Sequence, residues 1–238
     1  MKAILIRSEF IATNVKRFLI KTEFPMVAEA GQFVTLSFPQ LLDDLGRCVE
    51  RSYSLLNWFS EENGHHFVEL CISLNPDGIV TPWLWRDGIG SEFQISSALG
   101  SFTLKDYQAE GYQNIDALIF VCTGTGIAPF IPMIRYALQQ YPDKQVFLFS
   151  GNRKYSDELF SDELLSWQTE YPQFRYYPVF SREPDAKNYG YVHAFYKDVV
   201  SADSHVYVCG WSGMCQESRK HLKELGLTRK QYFFEQYD

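Results

Sequence analysis

The sequence has 238 residues, of which 46% are hydrophobic and 16% aromatic, and its net charge is -7. That length allows one large domain or two ordinary ones, and the apolar content predicts a packed core and excludes a disordered chain. The negative balance argues against a nucleic-acid partner. No apolar run approaches the roughly 20 residues of a membrane span. The first ten residues, interrupted by Arg7 and Glu9, do not form a signal peptide.

Cysteines and histidines are scattered along the chain. The cysteines, at positions 48, 71, 122, 209 and 215, form no CxxC pair and no ferredoxin-type spacing. An odd number of cysteines without a secretory signal predicts reduced thiols and a cytoplasmic location. We therefore expect no metal site and no fused iron–sulfur domain. The sequence carries no signal for an oligomer, and a monomer is the default expectation.

The first half of the chain contains short runs typical of β-strands, separated by Gly, Pro, Asn and acidic clusters. Many short strands with turn signals predict an antiparallel barrel or sandwich. A short helix is predicted near residues 82–85. The predicted strands are 3–6, 16–21, 33–38, 53–57, 67–72 and 92–95.

From Ile115 onward the pattern changes to apolar strands that alternate with helical stretches. This repeat predicts a parallel sheet with helices on its faces. We expect an antiparallel β-barrel domain at 1–106, a polar linker, and an α/β parallel-sheet domain at 112–238. The predicted strands are 118–121, 146–150, 175–179 and 205–209, and the predicted helices are 128–140, 157–170, 190–199 and 213–225.

The apolar run 118–121 ends in the Gly-rich turn Thr123-Gly124-Thr125-Gly126, and a helical pattern follows. Glycines let the backbone turn tightly and approach a ligand. A strand, turn and helix in this order aim free N–H groups and the positive end of a helix dipole at one point, which suits a pyrophosphate. Pro129 is tolerated in a first helical turn. The alternative is an ordinary strand–helix connection that happens to be rich in glycine.

The segment Arg51-Ser52-Tyr53-Ser54 could also bind a nucleotide. In an extended strand, Arg51 and Tyr53 point to one face and the two serines to the other. The arginine and a serine hydroxyl could bond phosphate oxygens, and the tyrosine offers a flat surface for stacking. The alternative is a strand with an exposed arginine and a core tyrosine.

Eight short motifs occur in an order and spacing that resemble the ferredoxin/flavodoxin–NADP reductase family of two-domain flavoproteins. Each motif is weak alone, but together they cover nearly the whole chain and are highly specific. The bacterial single-chain type is the nearest analogue. The motifs are RSYS (51–54), PDGIVTPWL (76–84), GSFTL (100–104), GTGIAP (124–129), GNR (151–153), SRE (181–183), YVCGWSGM (207–214) and the terminal EQYD.

This resemblance implies that the barrel domain binds FAD. Arg51 and Ser54 would contact its phosphate and ribitol, and Tyr53 would stack on the isoalloxazine ring. Ser54 would also be a catalytic residue. The short helix would receive the pyrophosphate at its N–H groups, and Thr81 keeps the hydroxyl of the serine often found there. The remaining FAD contacts implied are Cys71, Ile72 and Ser73 along the flavin edge and Gly78 and Val80 at the helix start.

The resemblance also implies that the α/β domain binds NADP. Thr123 and residues 124–128, with Gly124, Thr125 and Gly126 among them, would line the pyrophosphate and the nicotinamide side. Arg153, Ser181 and Arg182 lie where the family binds the 2′-phosphate, and paired arginine donors favour NADP over NAD. Alternatively, both arginines are solvated surface charges. Bacterial members often have an arginine after the glycine that follows SRE, but this chain has Tyr191, which could stack on adenine.

The same family places Cys209 and Gly210 beside the nicotinamide carbon that gives up hydride, with Met214 packed beneath. Glu235 would help to relay a proton from the flavin. A mobile terminal aromatic would cover the flavin ring and gate turnover, and both Phe234 and Tyr237 are candidates because Asp238 replaces the usual aromatic end. The alternatives are a buried core cysteine and a plain C-terminal strand with frayed polar residues.

The implied activity is FAD-dependent hydride transfer between NADP(H) and flavin, followed by single-electron transfer to a small carrier, ferredoxin or flavodoxin. The carrier stays open because residues 1–110 are acidic, with 9 Lys and Arg against 14 Asp and Glu. One concentrated basic run could meet an acidic carrier, and the alternative is a solvated helix face. This run consists of Arg219, Lys220, Lys223, Arg229 and Lys230. One alternative function is an NAD(P)H flavin reductase or the reductase component of an oxygenase. Another is a non-enzymatic nucleotide-binding module.

Overall fold

The computed structural model describes residues 1–112 and 114–237. The chain divides into two compact units, Met1–Thr103 and Leu104–Asp238. Each unit is built around its own cluster of buried apolar side chains. Within the described ranges, no helix is long and apolar enough to cross a membrane.

The first unit is a closed antiparallel barrel with strand order β1-β2-β5-β4-β3-β6. One helix, α1 (Val80–Arg86), lies between the last two strands of the chain order. The strands are β1 (Lys2–Ala12), β2 (Val15–Thr22), β3 (Phe33–Leu42), β4 (Cys48–Ser60), β5 (His66–Ser73) and β6 (Glu92–Ile95).

The barrel core follows from the alternation of side chains along its strands. In β2, buried residues alternate with half-buried ones, which places Phe18 and Ile20 inside the barrel. Val34 and Leu36 of β3 and Leu70 of β5 fill the same interior. Closure leaves no strand of the barrel with an unpaired edge.

Several barrel strands are longer than the sequence predicted. β1 extends to Ala12 and β4 covers 13 residues. Both contain register shifts, between Leu5 and Arg7 in β1 and between Leu55 and Asn57 in β4. A bulge bends a strand without ending it. The strands therefore continue through polar residues at which the sequence predicted that they would end.

The second unit is a five-stranded parallel sheet with order β11-β10-β7-β8-β9. The predicted fold class, an antiparallel barrel followed by an α/β parallel-sheet domain, is therefore confirmed. The elements are β7 (Ala117–Thr123), α2 (Phe130–Gln140), β8 (Gln145–Asn152), α3 (Ser161–Glu170), β9 (Phe174–Phe180), β10 (Ser204–Trp211), α4 (Ser212–Glu224) and β11 (Tyr232–Tyr237).

Helices cover both faces of this sheet. On one face, Phe120 of β7 contacts Phe130 of α2 with their ring centroids 5.1 Å apart. On the other face, Val121 and Val208 share a buried cluster with Leu222 of α4. β7 and β10 are thus buried on both sides, which explains their continuous apolar runs.

The predicted helix 190–199 is wrong. The structure has only a 3-10 turn there, Val192–Ala194. Val192 and Tyr196 are both buried in the core of the second unit, and their spacing of four imitates one turn of an amphipathic helix. Aromatic and β-branched residues crowd this segment and have low helix propensity, so tertiary packing sets its conformation.

Two other predicted helices begin later than expected. A 3-10 turn, Gly124–Ile127, precedes α2, and Pro129 forms the N-cap of the helix. Another 3-10 turn, Tyr155–Asp157, precedes α3. The C-terminal segment forms strand β11, and a C-terminal strand was the alternative that the sequence analysis gave to a mobile terminal aromatic. Asp238 lies outside the described residues.

Candidate functional site

The carboxyl ends of the parallel strands meet at one edge of the second unit's sheet. Because the sheet is entirely parallel, the ends of β7, β8, β9, β10 and β11 lie side by side in the sheet order. Ligands of such sheets bind outside the carboxyl ends of the strands. This edge, from Tyr237 across to Phe180, is called the carboxyl edge below.

The two glycines of the turn after β7 serve different purposes. A Cβ on Gly126 would overlap the backbone carbonyl of Cys209, so Gly126 lets the turn pack against β10. Gly124 has φ +52, and a Cβ on this residue would meet no atom within 4 Å, so Gly124 borders open space. Of the two, Gly124 is the one whose backbone a ligand can approach. Thr125, between them, is half-buried.

Gly210 and Thr123 bring the ends of β10 and β7 together. Gly210 has φ +147, and a Cβ there would overlap the Thr123 hydroxyl. The Thr123 hydroxyl also accepts a hydrogen bond from the Trp211 N–H at 3.3 Å. Met214 is buried, and its methyl carbon lies 3.0 Å from the same Cβ position. Its predicted place beneath Cys209 stays a prediction.

Arg153 and Arg182 lie next to each other where β8 and β9 end. The N–H of Arg182 donates to the carbonyl of Arg153 at 2.9 Å, and the N–H of Ser181 donates to that of Asn152 at 2.9 Å. Both arginines are exposed. Among the described residues, neither guanidinium has a hydrogen bond or an ion pair. The carboxyl edge thus carries two arginines on adjacent backbone segments, and neither forms an ion pair with a described residue.

Tyr191 is brought back to the same edge by a turn. The N–H of Gly190 donates to the carbonyl of Phe180, the last residue of β9, at 2.9 Å. The next residue, Tyr191, is 69% exposed, and its ring stacks on His193 at 5.9 Å with an interplanar angle of 7°. His193 in turn contacts His221 of α4, with ring centroids 5.0 Å apart. The tyrosine ring therefore has a packed side and an open side.

Cys209 and Glu235 are neighbours in the paired strands β10 and β11. Burial raises the pKa of the Cys209 thiol, and a hydrogen bond with Tyr237 partly offsets this. The thiol is therefore protonated at neutral pH and is no nucleophile. Burial raises the pKa of the Glu235 carboxyl from 4.5 to about 7. Within the described part of the chain, Glu235 Oε2 is buried and has no hydrogen-bond partner.

The two candidate aromatics of β11 face opposite sides of the sheet. Phe234 faces α4, where the guanidinium of Arg219 lies 4.6 Å from its ring centroid. Tyr237 lies two residues beyond Glu235, on the same face as that carboxyl because strand side chains alternate. Phe234 is thus held by packing within its own unit. Which of Phe234 and Tyr237 covers a flavin stays a prediction.

In the barrel, the residues of the RSYS motif lie on β4. Arg51 is exposed, and its Nη1 donates to the carbonyl of Glu50 at 2.6 Å. Tyr53 is half-buried against the barrel core, and burial raises the pKa of its hydroxyl to about 12. Ser54 is buried opposite Phe33 of β3. The tyrosine therefore packs partly into the core, as the alternative interpretation of this strand had it.

The three predicted flavin-edge residues end strand β5. Ile72 belongs to the barrel core, Cys71 is buried, and Ser73 is exposed. Burial raises the pKa of the Cys71 thiol to about 12. Of these three residues, only Ser73 is exposed to a ligand.

The hydroxyl of Thr81 has a structural role that the sequence did not indicate. It accepts the Asn75 N–H and donates to the Asn75 carbonyl, both at 2.9 Å, and so closes the turn before α1. Val80 is buried in the core. At Gly78, a Cβ would lie 3.4 Å from Asn75 atoms, which is an ordinary van der Waals contact. Asn75 is a residue of this loop that sequence reasoning missed, although the Asn-Pro-Asp-Gly turn signal was available.

No group of three or more potential metal ligands occurs among residues 1–112 and 114–237. The five cysteines are free thiols, and only Cys48 is exposed.

Comparison with known proteins gives a consistent result. Residues 120–220 match the oxidoreductase NAD-binding domain family. The reductase subunit of an aromatic O-demethylase from Amycolatopsis is 33% identical over 85% of this chain, but the chain spans only 57% of that relative. Ferredoxin–NADP reductase B from Sorangium cellulosum is 28% identical over 88% of this chain and 85% of its own length.

Solved structures resemble this chain over nearly its whole length. The Amycolatopsis cytochrome P450 reductase GcoB has a TM-score of 0.85 at 28% identity, covering 99% of this chain and 69% of its own. A ferredoxin NADP+ reductase from Neisseria gonorrhoeae, solved with bound FAD and NADP, has a TM-score of 0.79 at 20% identity. It covers 99% of this chain and 98% of its own, and at that identity the likeness concerns the fold. With its barrel, its parallel sheet and these relatives, the chain resembles two-domain reductases of the ferredoxin–NADP reductase type, and its residues 120–220 match an oxidoreductase NAD-binding domain.

Proposed function

We propose that the chain is an FAD-dependent oxidoreductase that transfers hydride between NADP(H) and flavin and passes single electrons to a small carrier, ferredoxin or flavodoxin. When bound, FAD accepts the two electrons of a hydride and releases them one at a time. Hydride transfer requires two planar rings in contact, so the protein's task is to position them and to handle one proton. The cytoplasm is the proposed compartment, where the free thiols stay reduced.

The order of features along the carboxyl edge carries this proposal. From β9 to β10 the edge presents the arginine pair, then the open Gly124 turn, then Cys209 and Gly210. Neighbouring strands are about 4.8 Å apart. The arginines and Cys209 therefore flank the turn at distances that suit the two ends of an extended dinucleotide whose pyrophosphate lies at Gly124.

The arginine pair supports NADP rather than NAD. A 2′-phosphate carries close to two negative charges, and guanidinium groups bind phosphate oxygens with paired donors. Arg153 and Arg182 are exposed and lie on adjacent backbone segments, and neither forms an ion pair with a described residue. Ser181, which directly precedes Arg182 and is half-buried, adds a hydroxyl as a third polar group. Tyr191 offers an open ring face for adenine.

Glu235 supports the proton step. Its carboxyl has a pKa raised to about 7 by burial, so it exchanges a proton readily near neutral pH. We assign it the role of accepting the proton that leaves the reduced flavin when electrons pass to the carrier. Cys209, buried and protonated, shapes the nicotinamide site.

FAD is assigned to the barrel. Arg51 is exposed and makes no ion pair with any described residue, so its charge is available to a phosphate. Tyr53 is only half-buried, which leaves part of its ring for stacking. Ser54, Ser73, Gly78 and the backbone at Cys71 and Ile72 stay predicted contacts, whereas the Thr81 hydroxyl is already occupied by Asn75.

The test is a titration and a reduction assay. Purified protein incubated with excess FAD, then freed of unbound cofactor, should keep the yellow flavin absorbance. Anaerobic mixing with NADPH should bleach it, and NADH should do so more slowly. Protein that stays colourless after incubation with FAD would refute the proposal.

The electron acceptor has a second candidate, the terminal or carrier component of an oxygenase. The Amycolatopsis relative that is 33% identical is a reductase subunit of an aromatic O-demethylase, and this chain spans 57% of its length. The barrel half is acidic, and the basic residues of α4 offer the contrasting surface for an acidic carrier. Stopped-flow mixing of the reduced protein with ferredoxin, with flavodoxin and with free flavin distinguishes a carrier reductase from a flavin reductase.

A further inference from the structure

Trp211 is the exposed end of an otherwise buried strand. The seven preceding residues of β10 are all buried, whereas Trp211 is 69% exposed. An indole left in water forgoes the stabilisation that burial of a large apolar ring gives. The residue follows directly on Cys209 and Gly210, so this exposed ring stands at the carboxyl edge.

The ring of Trp211 contacts the start of α4, and its backbone is tied to the end of β7. It lies against Gly213 in the first turn of α4, where any Cβ would overlap the indole. The backbone N–H of Trp211 donates to the Thr123 hydroxyl at 3.3 Å, which ties the residue to the start of the Gly-rich turn. The indole thus packs against Gly213 and is 69% exposed, so most of its ring is open to a ligand.

The position of Trp211 along the edge is defined by the sheet order. β10 lies between β11 and β7, and Trp211 pairs with Tyr237 in the β10–β11 register. Arg153 and Arg182 follow β8 and β9, which lie on the other side of β7. Trp211 and the arginine pair therefore stand on opposite sides of the Gly124 turn.

We propose that the open face of the Trp211 indole is the surface on which the nicotinamide ring of the dinucleotide stacks. The inference rests on the proposed function. With the pyrophosphate at Gly124 and the 2′-phosphate at the arginine pair, the nicotinamide half must leave toward β10. The oxidised nicotinamide is a planar cation, and the indole face attracts cations more strongly than other aromatic rings do. Trp211 thereby favours binding of the oxidised nucleotide over the neutral reduced one.

The experiment compares two ligands and two matched aromatic variants in the FAD-loaded protein. NADP+ contains the nicotinamide ring, and 2′-phospho-ADP-ribose lacks it but keeps the other anchors. Their dissociation constants are measured by isothermal titration calorimetry for the unmodified protein, Trp211→Leu and Tyr191→Leu. We expect Trp211→Leu to weaken NADP+ by about three- to tenfold and to leave 2′-phospho-ADP-ribose unchanged. Tyr191→Leu should weaken both ligands equally.

The outcomes separate this inference from the function on which it rests. If the unmodified protein binds neither ligand, the proposed function itself fails. If it binds both and Trp211→Leu changes neither constant, or changes both equally, the indole does not hold the nicotinamide and the inference is overturned. Trp211→Phe keeps a planar ring and should recover most of the NADP+ affinity, which excludes a general loss of folding as the cause.

Discussion

Glu235 of β11 stands directly beside Cys209 of β10 in the parallel register. The two side chains are a buried acid with a pKa raised to about 7 and a buried thiol that stays protonated. Both shifts have burial as their first cause, so this corner of the sheet disfavours charge. A carboxyl in such a place is costly for stability and is best explained by use in proton transfer.

Replacing Glu235 with glutamine should remove the rise in the rate of carrier reduction with increasing pH. Because Glu235 accepts a proton in the proposed reaction, only its ionised form is active, and carrier reduction should rise with pH through about 7. In Glu235→Gln the profile should be flat in this range, and the rate at high pH should fall about tenfold to a hundredfold. Steady-state carrier reduction at a series of pH values measures both effects.

The anaerobic hydride step provides the control for this variant. Glutamine keeps the size of the side chain, so the rate of flavin bleaching by NADPH should change little. A variant that keeps the full rise with pH would show that another group titrates near neutrality.

Arg182→Ala should lower the preference for NADPH over NADH. Loss of one charged hydrogen-bonding partner costs about 1.5–3 kcal/mol, so KM for NADPH should rise roughly tenfold to a hundredfold. KM for NADH should stay the same, since NADH has no 2′-phosphate. Kinetics with each nucleotide give the ratio.

Arg175→Ala is the matched control for the charge change. Arg175 is also exposed, but it lies near the amino end of β9, where its Nη1 donates to the carbonyls of Pro172 and Phe174. Its removal should leave both KM values unchanged. Equal rates with NADPH and NADH in the unmodified protein would contradict the assignment of the 2′-phosphate.

The alternation of strands and helices was predictable because it depends on local periodicity. The apolar runs of β7 and β10 and the short alternating runs of β2 and β5 carry that signal directly. The segment 190–199 was not predictable in this way. Val192 and Tyr196 are spaced like a helix face, and only their burial among other elements determines the conformation.

The candidate site shows the same division between local and tertiary information. The Gly-rich turn could be located from sequence because its chemistry is local, whereas Arg153 and Arg182 were located only through the resemblance of their motifs to the reductase family. That Gly126 serves contact with Cys209, whereas Gly124 faces open space, depends on a pairing across 83 positions that no local pattern contains. Which side Phe234 faces and what the Trp211 ring contacts are likewise set by packing against α4.

Gly126→Ala should destabilise the protein more than Gly124→Ala. A methyl group on Gly126 would overlap the Cys209 carbonyl, and the turn after β7 would have to move away from the end of β10. Overpacking of this kind costs about 1–3 kcal/mol of unfolding free energy, occasionally more. Gly124→Ala meets no atom within 4 Å and costs only the strain of φ +52, about 1 kcal/mol. Urea denaturation of the two variants measures the difference, and equal losses would contradict the close approach at Gly126.

Tyr107→Phe should destabilise the protein by about 1–3 kcal/mol, because the Tyr107 hydroxyl joins two buried groups of the second unit. It lies 2.9 Å from His205 Nδ1 and 2.7 Å from the Tyr207 hydroxyl.

Burial, with the nearby Lys105 charge, lowers the pKa of His205 to about 4, so the folded protein keeps this histidine neutral. An unfolded histidine binds its proton near pH 6.5, so stability should fall as pH drops from about 6.5 to 4. Glu235, with its raised pKa, contributes the opposite slope in an overlapping range. Urea denaturation should therefore be measured in a Glu235→Gln background, with and without His205→Gln. The acid-side loss should disappear with the glutamine at position 205, and its persistence would assign it to another group.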